Sequence, residues 1–168
     1  MGYRPVMKRL FLCLAVAAFA SSALAESPVI FLVRHAERAA ISGRVPSDTG
    51  LSREGKARAQ SLASALKDAK IAAIYTTEFK RTQESAAPVA ASSGIRPEVV
   101  SAGDLRPLIA KIKGAHGNVL VVGHSNTLPQ IINALGVFDR IAITESDYDN
   151  LFLVLWEPEP RLIRLHFR

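Results

Sequence analysis

The chain has 168 residues, the length of one ordinary domain, and its 49% apolar and 21% charged side chains supply a core and exclude a disordered or low-complexity chain. Its formal net charge of +6 includes three basic residues within the first 25, which carry no acid, so the charge falls to +3 without them. A charge this small, with no basic stripe left over, argues against a nucleic-acid-binding protein.

The first 25 residues are typical of a secretory signal peptide. Basic residues precede an apolar run of about 11 residues, and Ala-Leu-Ala at 23–25 forms a cleavage site. The run is much shorter than the roughly 20 residues that cross a bilayer, which favours a cleaved signal over an uncleaved anchor. We therefore predict a signal peptide at 1–25 and a mature domain at 26–168. The mature protein is expected in the periplasm or secreted, without stable membrane insertion.

Apolar runs and helical periodicities alternate along the rest of the chain. Short apolar runs rich in β-branched residues predict strands buried on both faces, and apolar residues at helical spacing predict helices. The predicted strands are 29–33, 71–75, 99–100, 119–122, 151–156 and 162–167, and the predicted helices are 52–66, 79–91, 104–112 and 127–135. This alternation predicts an α/β three-layer sandwich with a mostly parallel central sheet flanked by helices and a closing hairpin.

Polar side chains follow three of the predicted strands. Arg34 and His35 end the first, Thr76-Thr77 leads from the second to Arg81, and His124 ends another. In open α/β sheets, ligands bind outside the carboxyl ends of the strands. We therefore expect these residues to converge on one crevice.

The chemistry of such a crevice indicates a phosphate site. Arg34 and Arg81, joined by Arg38, would repel one another without an anion, and the guanidinium fork matches phosphate oxygens. Nearby positive charge keeps His35 neutral and nucleophilic, which allows a phosphohistidine intermediate. Arginine supplies the positive charge that Mg²⁺ supplies elsewhere. Because the only cysteine, Cys13, lies in the predicted signal, and no metal or P-loop motif is present, we predict no metal and no cofactor.

Four segments resemble the motifs of a known family and occur in its order. They are Arg34-His35-Ala36-Glu37-Arg38, the stretches at 51–59 and 75–83, and Val121-Val122-Gly123-His124-Ser125-Asn126. Together they resemble branch 1 of the histidine phosphatase superfamily, the phosphoglycerate mutase-like group. The resemblance implies a phosphoglycerate mutase-like fold, consistent with the predicted sandwich.

The resemblance also implies roles for the polar residues. It makes His35 the nucleophile, with Arg34, Arg38 and Arg81 binding the substrate phosphate. His124 would donate to the same phosphate and stabilise the transition state. One departure is small: an alanine, at position 36, replaces the usual glycine.

A second departure concerns the proton donor for the leaving group. No carboxylate follows His124, where the acid phosphatase branch of the family has one. Branch 1 members take the donor from a middle segment, and there Asp104 is the best candidate, with Glu78 and Glu37 as weaker ones.

Other polar residues are expected to be structural. Gly55 suits close helix packing, and Arg58 is expected at the surface. The segment 148–150 is expected to be mainly structural. His116 and His166 are expected to be exposed rather than ligands.

The sequence thus predicts a metal-independent phosphatase that hydrolyses phosphomonoesters or phosphohistidine through a phosphohistidine on His35. Its substrate would be a phosphorylated small molecule, sugar or protein. Two alternatives stay open: a pseudoenzyme that binds a phosphorylated ligand without turnover, and a mutase. The mutase is disfavoured because the short chain leaves no room for the lid that shields phosphohistidine from water.

Overall fold

The computed structural model of the chain describes residues 27–40, 48–156 and 158–168. The predicted signal peptide lies outside the described residues. The strands are β1 (Ile30–Arg34), β2 (Ile71–Thr76), β3 (Glu98–Val99), β4 (Asn118–Gly123), β5 (Asn150–Leu155) and β6 (Arg161–His166), and the helices are α1 (Arg53–Ala65), α2 (Lys80–Ser93), α3 (Arg106–Lys113) and α4 (Leu128–Ala134). No helix in this part of the chain is long and apolar enough to span a bilayer.

The strands form one sheet in the order β3-β2-β4-β1-β5-β6. The pairs β2–β3, β2–β4 and β1–β4 are parallel. The strands β5 and β6 add to this sheet as the predicted antiparallel hairpin. The prediction of a mostly parallel sheet is therefore confirmed.

Helices cover both faces of the sheet. Alternate residues of β1 and β4 point to opposite sides, as the two-residue period of a strand requires. Ile30 and Leu32 pack with α3 and α4 on one face, whereas Phe31 and Val33 pack with α1 and α2 on the other. The predicted three-layer sandwich is thus confirmed, and the fully apolar β1 and β4 are explained by burial on both sides.

The ends of the helices follow the sequence signals, with one exception. The hydroxyl of Ser52 accepts from Gly55 N at 3.1 Å and caps α1, and Gly94 ends α2 in the left-handed conformation. The helix predicted from residue 104 begins later, because α3 starts at Arg106 with Leu105 as its N-cap. The Asp104 carboxylate instead turns toward Arg106, accepting from its backbone and its guanidinium.

Candidate active site

The imidazole of His35 lies just beyond the end of β1. Its backbone N–H donates to Gly123 O at 2.9 Å, which extends the ladder between β1 and β4. Its Nδ1 lies 2.8 Å from Ala36 O. Because a carbonyl oxygen only accepts, Nδ1 carries the proton and Nε2 keeps its lone pair. The backbone thus fixes the tautomer in which Nε2 is the nucleophilic atom.

The environment of His35 keeps the ring neutral. Burial lowers the pKa of His35 to about 3, against the opposing effect of the Ala36 carbonyl. The charges of His124, Arg34 and Arg81 lower it further. A neutral imidazole with an available lone pair is the form that attacks phosphorus.

The second histidine faces the first across the crevice. The rings of His35 and His124 lie 5.4 Å apart between centroids, at an interplanar angle of 64°. Nε2 of His124 lies 3.1 Å from Thr77 Oγ1, and Nδ1 lies 3.4 Å from a guanidinium nitrogen of Arg81. Burial, followed by the charge of Arg81, lowers the pKa of His124 to about 4.

Arg81 brings positive charge into the same crevice from the first turn of α2. Its guanidinium carbon lies 4.2 Å from the centroid of the Phe79 ring. Burial, followed by the charge of Arg38, lowers the pKa of Arg81. A cleft of about 200 Å³ opens beside it and is lined by Phe79, Arg81, Ala102, His124, Asn126 and Thr127. Clustered positive charge beside a cleft suits an anionic ligand.

Arg38 is held at the crevice by its backbone. It forms an isolated antiparallel bridge with Leu51. Within the described ranges, its side chain makes no hydrogen bond or ion pair, yet its charge acts on both Arg81 and His124. Its guanidinium thus retains its capacity to bind an anion.

Arg34 is anchored differently from the other two arginines. Its Nη1 donates to the carbonyl oxygens of Thr144 and Glu145 at 2.8 and 3.0 Å, with Asp147 O at 3.5 Å. Its Nη2 pairs with the Glu145 carboxylate at 3.0 Å. Its Nε is buried and has no hydrogen-bond partner among the described atoms. If Arg34 binds phosphate as expected, Nε is therefore the nitrogen that is available for it.

The segment before β5 contributes a residue to the site that the sequence analysis treated as structural. The ring of Tyr148 lies 6.3 Å from the ring of His35, and the guanidinium of Arg34 stacks on it at 4.3 Å. An aromatic face can hold a guanidinium by cation–π attraction. Tyr148 thus lies beside both His35 and Arg34, and no motif in the sequence marked it.

Two of the three candidate proton donors form ion pairs elsewhere. The Asp104 carboxylate is bound by Arg106, with Nη2 2.7 Å from Oδ2, and this pairing lowers the pKa of Asp104. Glu37 binds Arg58 through three contacts of 2.6–3.0 Å. Arg58 is therefore half-buried in an ion pair and not a simple surface residue. Each of these two carboxylates is thus paired with an arginine.

Glu78 is the candidate carboxylate that acts on the crevice. Its Oε2 accepts from Ala102 N at 2.9 Å. Its negative charge opposes the lowering of the pKa of both Arg81 and His124. Among the three candidates, Glu78 is therefore the carboxylate whose charge acts on both Arg81 and His124.

Buried hydroxyls tie the loops of the site together. The hydroxyl of Ser85 accepts from Ala36 N at 2.8 Å and donates to Arg81 O at 2.7 Å. It thereby connects the loop that carries the nucleophile to the helix that carries Arg81. Thr77 and Thr82 play a comparable part beneath His124. The sequence analysis named Thr77 at the end of a strand but gave none of these three hydroxyls a role, because small hydroxyl side chains carry no signal of their own.

Gly55 is required by the same loop. A Cβ at this position would lie 2.3 Å from the carbonyl oxygen of Glu37. The expected close packing of α1 is thus confirmed as a contact with the loop that follows the nucleophile. Ala36 in place of glycine is tolerated, since its backbone is not in the left-handed region.

The remaining histidines lie away from the crevice. His116 is exposed, as expected, and His166 is exposed with its Nδ1 3.2 Å from the Asp149 carboxylate. No group of three or more His, Cys, Asp or Glu side chains that could hold a metal ion occurs in the described part of the chain.

Comparison with known proteins finds a match to one family model. The model of the histidine phosphatase superfamily (branch 1) matches residues 30–106. No curated protein matches the chain by sequence.

Solved structures share the fold. The mycobacterial glucosyl-3-phosphoglycerate phosphatase Rv2419c superposes with a TM-score of 0.64 at 14% identity, covering 83% of this chain and 98% of its own. The protein histidine phosphatase SixA, complexed with tungstate, gives 0.65 at 18% identity, with coverages of 82% and 96%. A putative α-ribazole-5′-P phosphatase from Escherichia coli K-12 gives 0.64 at 19% identity, with coverages of 83% and 97%. At these identities the similarity is one of fold.

Proposed function

We propose that this chain, whose residues 30–106 match the histidine phosphatase superfamily (branch 1), is a phosphoric monoester hydrolase of that family that works through a phosphohistidine on Nε2 of His35. The observation that carries the proposal is the hydrogen bond from Nδ1 to Ala36 O, which leaves the lone pair on Nε2. The ring is buried and neutral, as a nitrogen nucleophile must be.

The proposed reaction has two steps. Nε2 of His35 attacks phosphorus, an N–P bond forms, and the bond from phosphorus to the leaving group breaks. Water then attacks the phosphohistidine, which releases inorganic phosphate and restores the imidazole. Arg38, Arg81 and the Nε of Arg34 neutralise charge on the phosphoryl oxygens as the group transfers. His124 donates to the same oxygens once it carries a proton on the nitrogen that faces them.

The state of the carboxylates bears on the substrate class. Ester hydrolysis requires a proton for the leaving alkoxide, and we assign this role to Glu78 because its charge acts on Arg81 and His124. Asp104 and Glu37 are held in ion pairs. A phosphoramidate such as phosphohistidine makes a smaller demand, because its leaving nitrogen can be protonated by solvent before the bond breaks. This observation favours phosphohistidine as a second candidate substrate beside phosphomonoesters.

The related structures fit both candidates. Rv2419c is a glucosyl-3-phosphoglycerate phosphatase, and SixA is a protein histidine phosphatase. We propose that this chain acts on a phosphorylated small molecule, sugar or protein. We also propose that cleavage after residue 25 sends the mature domain to the periplasm or beyond, which N-terminal sequencing of the exported protein would test.

The test is hydrolysis of a generic aryl phosphate by the purified protein with a chelator present. His35→Ala is the test variant, and His116→Ala, at an exposed loop, is the matched control. We expect the protein and the control to turn over alike and His35→Ala to lose activity. Tight phosphate binding without turnover of either an aryl phosphate or a phosphoramidate would instead indicate a pseudoenzyme.

A further inference from the structure

A chain of buried hydroxyl groups runs from the back of His124 into the first turn of α2. Nε2 of His124 lies 3.1 Å from Thr77 Oγ1, which lies 2.9 Å from Thr82 Oγ1. The Thr82 hydroxyl lies 2.8 Å from the carbonyl oxygen of Phe79. The side chains of His124, Thr77 and Thr82 are buried, so these groups bond to one another rather than to bulk water.

Which group donates in each of these hydrogen bonds follows from the groups at the two ends of the row of hydroxyls. A guanidinium can only donate, so the contact of 3.4 Å between Arg81 Nη2 and His124 Nδ1 makes Nδ1 the acceptor. A neutral ring then carries its proton on Nε2 and donates it to Thr77. At the far end, the carbonyl of Phe79 can only accept, so Thr82 donates to it. Each hydroxyl therefore donates away from the histidine, and each of these groups has a hydrogen-bond partner.

We propose that Thr77 is a positioning residue that fixes His124 in the tautomer protonated on Nε2, so that Nδ1 is the atom presented to the phosphoryl group. Thr82 supports this arrangement, because its hydroxyl accepts the proton of Thr77 and its Oγ1 also accepts from Thr77 N at 3.1 Å. This role is comparable to that of the group that orients a catalytic histidine through its second nitrogen.

The tautomer of His124 determines how its protonation must change when an oxyanion binds. In the crevice without ligand, Nδ1 bears a lone pair, and it can donate to an oxyanion only after a proton from solvent adds to it. The charged groups that act on His124 are Arg34, Arg38 and Arg81, which oppose this protonation, and Glu78, which favours it. His35 faces it across the crevice as a neutral ring. A tetrahedral dianion placed among these groups adds negative charge and thereby favours protonation.

The tautomer can be measured without any activity. In ¹⁵N NMR of the protein, the four imidazoles give separate signals, and His124→Gln assigns those of His124. We expect a directly bonded proton on Nε2 and none on Nδ1 near pH 7. With tungstate, a tetrahedral oxyanion that is not hydrolysed, we expect protons on both nitrogens.

The kinetic part of the test rests on the proposed phosphatase activity, whereas the NMR part does not. Thr77→Val keeps the shape of the side chain and removes the acceptor, and Thr77→Ser keeps the hydroxyl. We expect Thr77→Val to lower kcat about 10- to 100-fold, the usual effect of removing a partner that orients a catalytic group. The acid limb of its pH–rate profile should shift, and Thr77→Ser should restore both the rate and the profile.

Two results would overturn the proposal. One is a proton on Nδ1 rather than Nε2 of His124 in the protein without ligand. The other is a folded Thr77→Val protein that keeps the unsubstituted kcat and pH profile. If Thr77→Val does not fold, the NMR measurement on the unsubstituted protein still decides the tautomer. If neither protein hydrolyses phosphate esters or phosphoramidates while the NMR result is as expected, the proposed function fails and the tautomer assignment stands.

Discussion

The guanidinium of Arg34 and the carboxylate of Glu145 form an ion pair, with 3.0 Å between Nη2 and Oε2, although they are 111 residues apart in sequence. Together with carbonyl oxygens from the same loop, this contact occupies Nη1 and Nη2. Nε is the nitrogen of Arg34 that has no partner among the described atoms, and the loop before β5 holds the guanidinium beside Tyr148.

Loss of the Glu145 carboxylate should weaken but not abolish activity. Glu145→Gln removes the charge from the pair, while the carbonyl oxygens still hold Nη1. Because the Glu145 side chain is largely exposed, we expect no measurable loss of stability and a fall in kcat/KM of about 10-fold or less, below the usual range for an orienting partner. Glu159→Gln, at an exposed hairpin position, is the matched control and should leave kcat/KM unchanged. A loss as large as that of Arg34→Ala would contradict this account of the loop.

The proton donor can be found by varying the leaving group. Asp104→Asn should keep the activity on all aryl phosphates, because its carboxylate is exposed and bound to Arg106. Glu78→Gln should slow esters of weakly acidic phenols far more than esters of strongly acidic ones, which need no proton. The measurement is kcat/KM across a series of phenols. Equal loss for every leaving group in Glu78→Gln would show that Glu78 acts by charge alone.

The contact between Gly55 and Glu37 O predicts that alanine destabilises the protein at position 55 but not at position 103. Gly55→Ala would place a methyl 2.3 Å from that backbone oxygen, so the loop must shift. We expect a loss of about 1–3 kcal/mol in the free energy of unfolding, as for other overpacked sites, with reduced activity. Gly103→Ala, whose nearest neighbour would be 3.6 Å away, is the control and should be close to neutral. Chemical denaturation measures both; similar stabilities would contradict the prediction.

The neutral histidines predict how stability depends on pH. The pKa of His35 is lowered to about 3 and that of His124 to about 4, whereas in the unfolded chain both return to about 6.5. Below about pH 6.5 the unfolded state therefore binds more protons than the folded state, and the free energy of unfolding falls as the pH is lowered through that window.

Removing one of these histidines should reduce that dependence. His35→Gln should show a smaller fall in Tm between pH 7 and pH 4 than the unsubstituted protein, since one of the two proton-binding differences is gone. His116→Gln serves as the exposed control and should follow the original curve. Parallel curves for His35→Gln and the unsubstituted protein would mean that His35 is not held neutral by the fold.

The fold was predictable because its strongest signals are local. The apolar runs of β1 and β4 bury both faces, and Ser52 and Gly94 mark helix ends with side-chain and backbone chemistry. The strand ends then place His35 and His124 at one edge by topology alone. These inferences need no knowledge of side-chain contacts.

The parts of the site that were missed depend on contacts between distant segments. The position of Tyr148 beside His35 and the hold of Glu145 on Arg34 arise from the path of the loop before β5, which carries no periodic pattern. The ion pair between Asp104 and Arg106 was not predictable for the same reason, because it depends on rotamers rather than on spacing, and the identity of the proton donor stays a prediction.

The central claim is that His35 carries the phosphoryl group, and the most direct measurement is to trap it during turnover. The protein is mixed with an aryl phosphate, quenched under alkaline conditions within milliseconds, digested and mapped by mass spectrometry. We predict a phosphoryl group on His35 that is lost in acid, appears before steady state and is absent from His35→Ala. A phosphoryl group on another residue, or steady hydrolysis with none on His35 at any time, would contradict the account.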